Sequence, residues 1–131
     1  MLDVFLKTVK ELNKSGIEPI IYGSFGLNLA IGGIKNINDI DFVLFDEDFN
    51  EAKLPDDPLV SFIKASDVGI IRIEKENLDE KEADGAFFYN LKPEQYLDFY
   101  DKLSKKEGRG EKRKNDLEKI ILIKEFLSKN R

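Results

Sequence analysis

The chain has 131 residues, 41% hydrophobic and 36% charged, with a formal net charge of −5 and neither cysteine nor histidine. That length suits one domain over residues 1–131, able to bury about two thirds of its surface. Without cysteine there are no disulfides, zinc–thiolate sites or thiol nucleophiles; without histidine there is no Ser-His triad and no usual neutral-pH base. Chemistry here must use carboxylates, hydroxyls, amines, or a hard metal ion held by oxygen.

Leu2, Phe5, Leu6, Val9 and Leu12 recur at helical spacing, and Ser15-Gly16 closes a first amphipathic helix. This N-terminus lacks the layout of a secretory signal, and no apolar run reaches the ~20 residues needed to span a bilayer, so a cytoplasmic protein without a membrane segment is expected. Ile20-Ile21-Tyr22 reads as a short buried strand that stops at Gly23. Residues 25–31 (FGLNLAI) read as a second helix opening after Gly23-Ser24, and residues 34–38 as a polar turn. Residues 40–45 (IDFVLF) form the second strand of the reading, followed by an acidic loop containing Pro55 and Pro58.

Residues 59–65 and 68–75 alternate in a strand-like way about a turn near Ser66-Asp67, and the charged residues 77–84 read as loop. Residues 86–89 suit a last strand or a buried connection. Pro93 fits the first position of a helix whose apolar face is Tyr96, Leu97, Tyr100 and Leu103. Residues 108–110 (GRG) break it, and a final helix is expected from Asn115, with Asn115 and Glu118 as a capping box and Leu117, Ile120, Ile121 and Leu127 as its apolar stripe. The sum is an α+β fold: a small mixed sheet flanked by helices, with helices at the C-terminal end.

Charge is unevenly placed. Residues 39–58 hold eight acidic residues against Lys53 alone, whereas residues 102–114 (KLSKKEGRGEKRK) hold seven basic residues against two acidic ones. Most such charges are solvated surface, but a local basic patch could face phosphates even on an acidic protein.

Asp39 and Asp41 stand out because an ionised carboxylate buried without a partner costs several kcal/mol, roughly. Period-two geometry puts both on one face of the strand, about 7 Å apart, with Ile40 and Phe42 on the other. Carboxylates so placed can share divalent cations, and Mg²⁺ keeps positions for water and substrate phosphate. Gly23-Ser24 lies at a strand-to-helix junction, where free N–H groups and the helix dipole favour an anion; Ser24 also suits an ordinary helix N-cap. A phosphate-binding element followed by a metal-holding one suits phosphoryl or nucleotidyl transfer.

The stretch YGSFGLNLAIGGIKNINDIDFVLF, residues 22–45, resembles the signature of the DNA polymerase β-type nucleotidyltransferase superfamily: hydrophobic, Gly, Gly or Ser, a helix, then Asp-hydrophobic-Asp-hydrophobic. Residues 112–126 (KRKNDLEKIILIKEF) also resemble the Lys-Asp-Leu helix of small bacterial nucleotidyltransferases, antibiotic-modifying and toxin-type members included. The resemblance implies that Gly23 and Ser24 contact the nucleotide triphosphate and that Asp39 and Asp41 bind two Mg²⁺. It also implies a third carboxylate from a later strand, for which Glu74 in VGIIRIEK is the first candidate, sharing a face with Arg72, and Asp67 the second. Arg109 and Lys112 of the basic segment are the candidates to reach the triphosphate, while Tyr96 and Tyr100 are expected in the core.

The expected activity is transfer of NMP from an NTP to a hydroxyl of a small molecule, a protein or a tRNA end. A homodimer or a partner protein would complete so short a chain. The alternative is a catalytically degenerate module, either a nucleotide sensor or one component of a toxin–antitoxin pair. A third reading is a nucleic-acid binder using residues 102–114.

Overall fold

Helix α1, Leu2–Lys14, buries Phe5, Thr8, Val9 and Leu12 on the stripe its spacing dictates. In the computed structural model, which describes residues 1–130, Phe5 is the hub of an aromatic cluster. Its ring centroid lies 5.0 Å from Phe25, 5.7 Å from Phe42 and 5.0 Å from Phe88. Burying each such ring contributes about 1.5–3 kcal/mol, and the tilted and edge-on contacts with Phe25 and Phe88 add the quadrupole attraction of aromatic pairs.

Among the described residues the fold is α+β, a five-stranded mixed sheet with four α-helices. In chain order the elements after α1 are β1 (Ile20–Tyr22), α2 (Gly23–Ile31), β2 (Ile40–Leu44), β3 (Val60–Lys64), β4 (Asp79–Ala83), β5 (Ala86–Asn90), α3 (Pro93–Ser104) and α4 (Lys112–Lys129). The strand order is β3-β2-β1-β5-β4; β1 pairs antiparallel with β2 and parallel with β5, β3 parallel with β2, and β4 antiparallel with β5. Ile20 and Ile21 are fully buried because β1 is the central strand, covered on both faces. Phe5, Val9, Ile21, Ile40, Phe42 and Phe88 fill one face; Ile20, Val43, Leu91, Tyr96, Tyr100 and Ile123 fill the other, under α3 and α4.

Helix α2 seats through Gly26 against Ile21 of β1, Tyr96 of α3 and Asn90 of β5. A Cβ at Gly26 would collide with the Tyr96 hydroxyl. Asn90 donates from Nδ2 to the Gly26 carbonyl at 3.0 Å and accepts from Tyr96 at 2.5 Å, so the buried polar groups are satisfied. At the start of α3 the Gln95 side chain accepts the Lys92 N–H at 2.7 Å, and Pro93 occupies the first turn, as its missing donor allows.

Three expectations are corrected. Residues 68–75 are not a strand: Ile70, Ile71 and Ile73 run irregularly and pack onto the α3–α4 face of the core. The charged residues expected as loop contain β4, an edge strand. Helix α4 starts at Lys112, three residues before the expected cap, and its buried residues are Asp116, Ile120 and Ile123, whereas Leu117 and Ile121 are 48% and 56% exposed. Tyr96 and Tyr100 do lie in the core, their centroids 6.4 Å apart. Among the described residues no helix is long and apolar enough to cross a membrane.

Candidate active site

The register of β1 and β2 sets Tyr22 opposite Asp41, and that of β2 and β3 sets Asp41 opposite Ser61. Paired residues share a sheet face, so Asp41 is flanked there by a phenol and a hydroxyl. The chain leaves β1 at Tyr22 and turns at once into α2, which brings Gly23 against Asp41. A Cβ at Gly23 would stand 2.8 Å from Asp41 Oδ2, and the residue has φ +69°, a left-handed backbone that glycine adopts without penalty. Both facts favour glycine at this turn.

The electrostatics follow from this crowding. Burial, and then the charge of Asp39, push the Asp41 carboxyl up from 3.8 to about 6. Burial, with Asp41 and Asp39 adding to it, pushes the Tyr22 phenol up to about 12, so it stays neutral. Asp39 itself is exposed, just before β2. Two carboxylates on one edge, oxygen donors only, with their mutual repulsion unrelieved, are a donor set that suits a hard divalent cation completed by water and phosphate.

Ser24 is the second residue of α2, whose N-cap position is Tyr22, so Ser24 does not serve as the cap. Its Oγ instead accepts a hydrogen bond from Lys119 Nζ at 2.8 Å. Lys119 comes from α4, half-buried, with its ammonium 4.9 Å from the ring centroid of Tyr100. Burial lowers its pKa, opposed by the charge of Asp116. The Tyr100 hydroxyl is pushed up by burial, with Asp116, Asp41 and Tyr22 acting in the same direction. The turn at Gly23-Ser24 is thus walled by the acids at the start of β2 and by one cation on α4.

Of the residues expected at this site, the structure brings together Gly23, Ser24, Asp39 and Asp41. Glu74 and Lys112 are not grouped with them, and Arg109, near enough for its charge to act on Lys119, is held by Asp116. Glu74 lies outside any strand, at the entrance to the 3-10 turn Lys75–Asn77, with one oxygen 2.6 Å from Arg72 Nε. Asp67 ends the exposed 3-10 turn Ala65–Asp67. Among the described residues no group of three or more acidic side chains is disposed to hold a metal, and the β3 position across from Asp41 is a serine.

Arg109 is committed to Asp116. Its Nε and Nη2 donate to the two carboxylate oxygens at 2.9 and 2.7 Å, and Asp116 is 1% exposed. Lys112 is exposed at the first residue of α4, seven residues and about 10 Å along the axis from Lys119. Lys119 was the cation to look for: Asp116, Lys119, Ile120 and Ile123 fall at i, i+3, i+4 and i+7, which places two charges on a buried stripe. Charged residues at core spacing were the available signal. Tyr22 and Tyr100 gave none beyond their place next to apolar residues.

Comparison of the chain with protein-family models, with curated proteins and with solved structures finds no match.

Proposed function

We propose that the chain is a small Mg²⁺-dependent nucleotidyltransferase of polymerase β-type architecture, transferring NMP from an NTP to a hydroxyl acceptor. The observation that supports this most is the contact of the Gly23-Ser24 turn with the Asp39–Asp41 edge, close enough that a methyl group at Gly23 would meet Asp41 Oδ2 at 2.8 Å. Phosphate-binding and acid-bearing elements built that close serve a ligand carrying both phosphate and a cation.

Asp39 and Asp41 would hold Mg²⁺, which when bound neutralises phosphate charge and polarises the α-phosphorus. The backbone N–H groups opening α2 would face the phosphates, and Lys119 would supply the positive charge there, in place of Arg109 and Lys112. Ser24 Oγ accepts from Lys119 Nζ, which leaves its own hydroxyl proton for a phosphate oxygen. Tyr22 and Tyr100 stay neutral, so neither adds a negative charge beside the acid pair. In the transfer the acceptor oxygen bonds to the α-phosphorus, the α–β bridge breaks, pyrophosphate leaves, and the hydroxyl proton passes to solvent.

Thermal melting with Mg²⁺ and each of ATP, GTP, CTP and UTP tests binding. Turnover is read from α-labelled NTP offered to pooled tRNA, protein and small-molecule fractions. The expected result is stabilisation by at least one NTP only with Mg²⁺, and label in one fraction with pyrophosphate released. Absence of stabilisation by every NTP would sink the reading. Glu74, bound to Arg72 and not grouped with the acid pair, favours a second reading, a nucleotide-binding module without turnover. NTP binding with no labelled product in any fraction selects it.

A further inference from the structure

The side of α4 that presents Lys119 continues into a cleft of about 440 Å³ between α4 and the loop of residues 32–38. Its apolar walls are Ile34 on the loop and Ile121 and Leu122 on the helix; its polar groups include the amides of Asn36 and Asn115. Lys119 belongs both to this lining and to the Ser24 turn, 2.8 Å from Ser24 Oγ, so this one side chain links the cleft to the turn. The loop wall is tied down, because the Asn28 side chain accepts the Ile34 N–H at 3.0 Å.

The chemistry of the lining narrows the ligand. A volume of this size falls within the about 300–1,000 Å³ of small-molecule sites, which pair apolar walls with a few placed polar groups. Ile121 is 56% and Leu122 36% exposed, so apolar surface stands beside polar groups where a ligand could cover it. The side-chain amides offer donors and acceptors together. The charges of Lys35 and Glu118 on the lining offset one another, which leaves Lys119 as the cation of the lining that reaches Ser24. A sugar phosphate or bare polyphosphate would leave Ile34, Ile121 and Leu122 uncovered. A flat heterocycle with hydrogen-bonding edges would cover them.

We propose that the cleft between α4 and the 32–38 loop receives the base of a nucleoside triphosphate whose phosphates meet Ser24 and Lys119. This rests on the nucleotidyl-transfer reading and adds that the base, not the phosphate chain alone, is recognised.

Calorimetric titration of Mg²⁺-tripolyphosphate and of the Mg²⁺ complexes of ATP, GTP, CTP and UTP tests it, on the parent chain, on Leu122→Trp, which fills the cleft, and on Ile121→Asn, which removes an apolar wall. At least one NTP is expected to bind about tenfold or more tighter than tripolyphosphate. That advantage disappears in Leu122→Trp and shrinks in Ile121→Asn, while tripolyphosphate affinity is unchanged in both. NTPs no tighter than tripolyphosphate, or an advantage that survives both substitutions, overturn the base cleft and leave the phosphate turn standing. Failure of tripolyphosphate and every NTP to bind the parent chain overturns the nucleotidyl-transfer reading, and the cleft with it. If Leu122→Trp also loses tripolyphosphate, Ile121→Asn, at a 56%-exposed position, decides alone.

Discussion

At Asp41 burial and the charge of Asp39 act in one direction, raising the carboxyl from 3.8 to about 6. Unfolding returns it to its ordinary value, so between about pH 4 and 6 the native chain holds more protons at this group than the unfolded chain does. Stability from this group therefore falls as pH rises through that window and is level above it. Asp41→Asn removes the titration. In metal-free denaturation the variant is expected to gain on the parent from pH 4 to 6, and to lose Mg²⁺-dependent NTP binding. A gap that stays constant with pH would refute the assignment of the strained acid. At Gly23 the left-handed backbone alone makes Gly23→Ala cost about 1–2 kcal/mol. The added methyl group must also displace the Asp41 carboxylate, so Mg²⁺-NTP binding is expected to fall more than stability does. Unchanged NTP affinity would show that the contact plays no part in binding.

Helix α4 is the element that carries the site's cation, and its position depends on a buried pair. Asp116 is sealed in and held by Nε and Nη2 of Arg109, while Arg113 donates to the carbonyls of Ser104 and Lys106 at 2.6 and 3.1 Å, pinning the same turn to the end of α3. Breaking a buried pair by removing one partner costs about 3–5 kcal/mol, because the other charge is left uncompensated. Asp116→Ala is expected near the lower figure, since the Arg109 side chain keeps 22% exposure. Urea denaturation measures it, and a loss under about 1 kcal/mol would mean that the pair does not anchor the helix. The same helix marks how far the sequence could be read. β1, α2 and β2 were readable because residues 20–44 use local rules: a strand ending in glycine, a helix, then alternation. In α4 the stripe could have been read through Asp116 and Lys119, but apolar Leu117 and Ile121 drew the face the wrong way. β4, with the sequence DEKEA, carries no apolar alternation. It is a strand because β5 offers it a backbone partner, and no pattern within those five residues encodes that. Glu74 was misplaced for the converse reason, since isoleucines at 70, 71 and 73 that look like a strand instead cover the core beneath α3 and α4.

Across the whole molecule, charge decides which anions are welcome. The net charge is −5, and the basic segment 102–114 is largely neutralised where it stands. Lys102 pairs with Asp98 at 3.1 Å, Lys105 with Asp101 at 3.2 Å, and Arg109 with Asp116; Arg113 is turned onto backbone carbonyls. Among the described residues this leaves Lys106, Lys112 and Lys114 of the segment's seven basic side chains facing solvent without an ion pair or side-chain hydrogen bond. Non-specific nucleic-acid binding scales with the phosphates neutralised, each adding about 0.9 to the logarithmic salt slope on duplex DNA. Three scattered lysines on an acidic body supply a slope of about 3 at most, against repulsion from the acidic residues of 39–58. Fluorescence anisotropy with a labelled duplex, titrated from about 50 to 200 mM salt, is therefore expected to give weak binding, further weakened by Lys106→Glu and Lys112→Glu. Mg²⁺-NTP affinity, drawn locally by Lys119 and the acid pair, is expected to be unaffected by those two changes. Tight duplex binding with a slope well beyond 3 would mean that the paired side chains of α3 and α4 release their partners for phosphate, and would make the basic segment the functional surface.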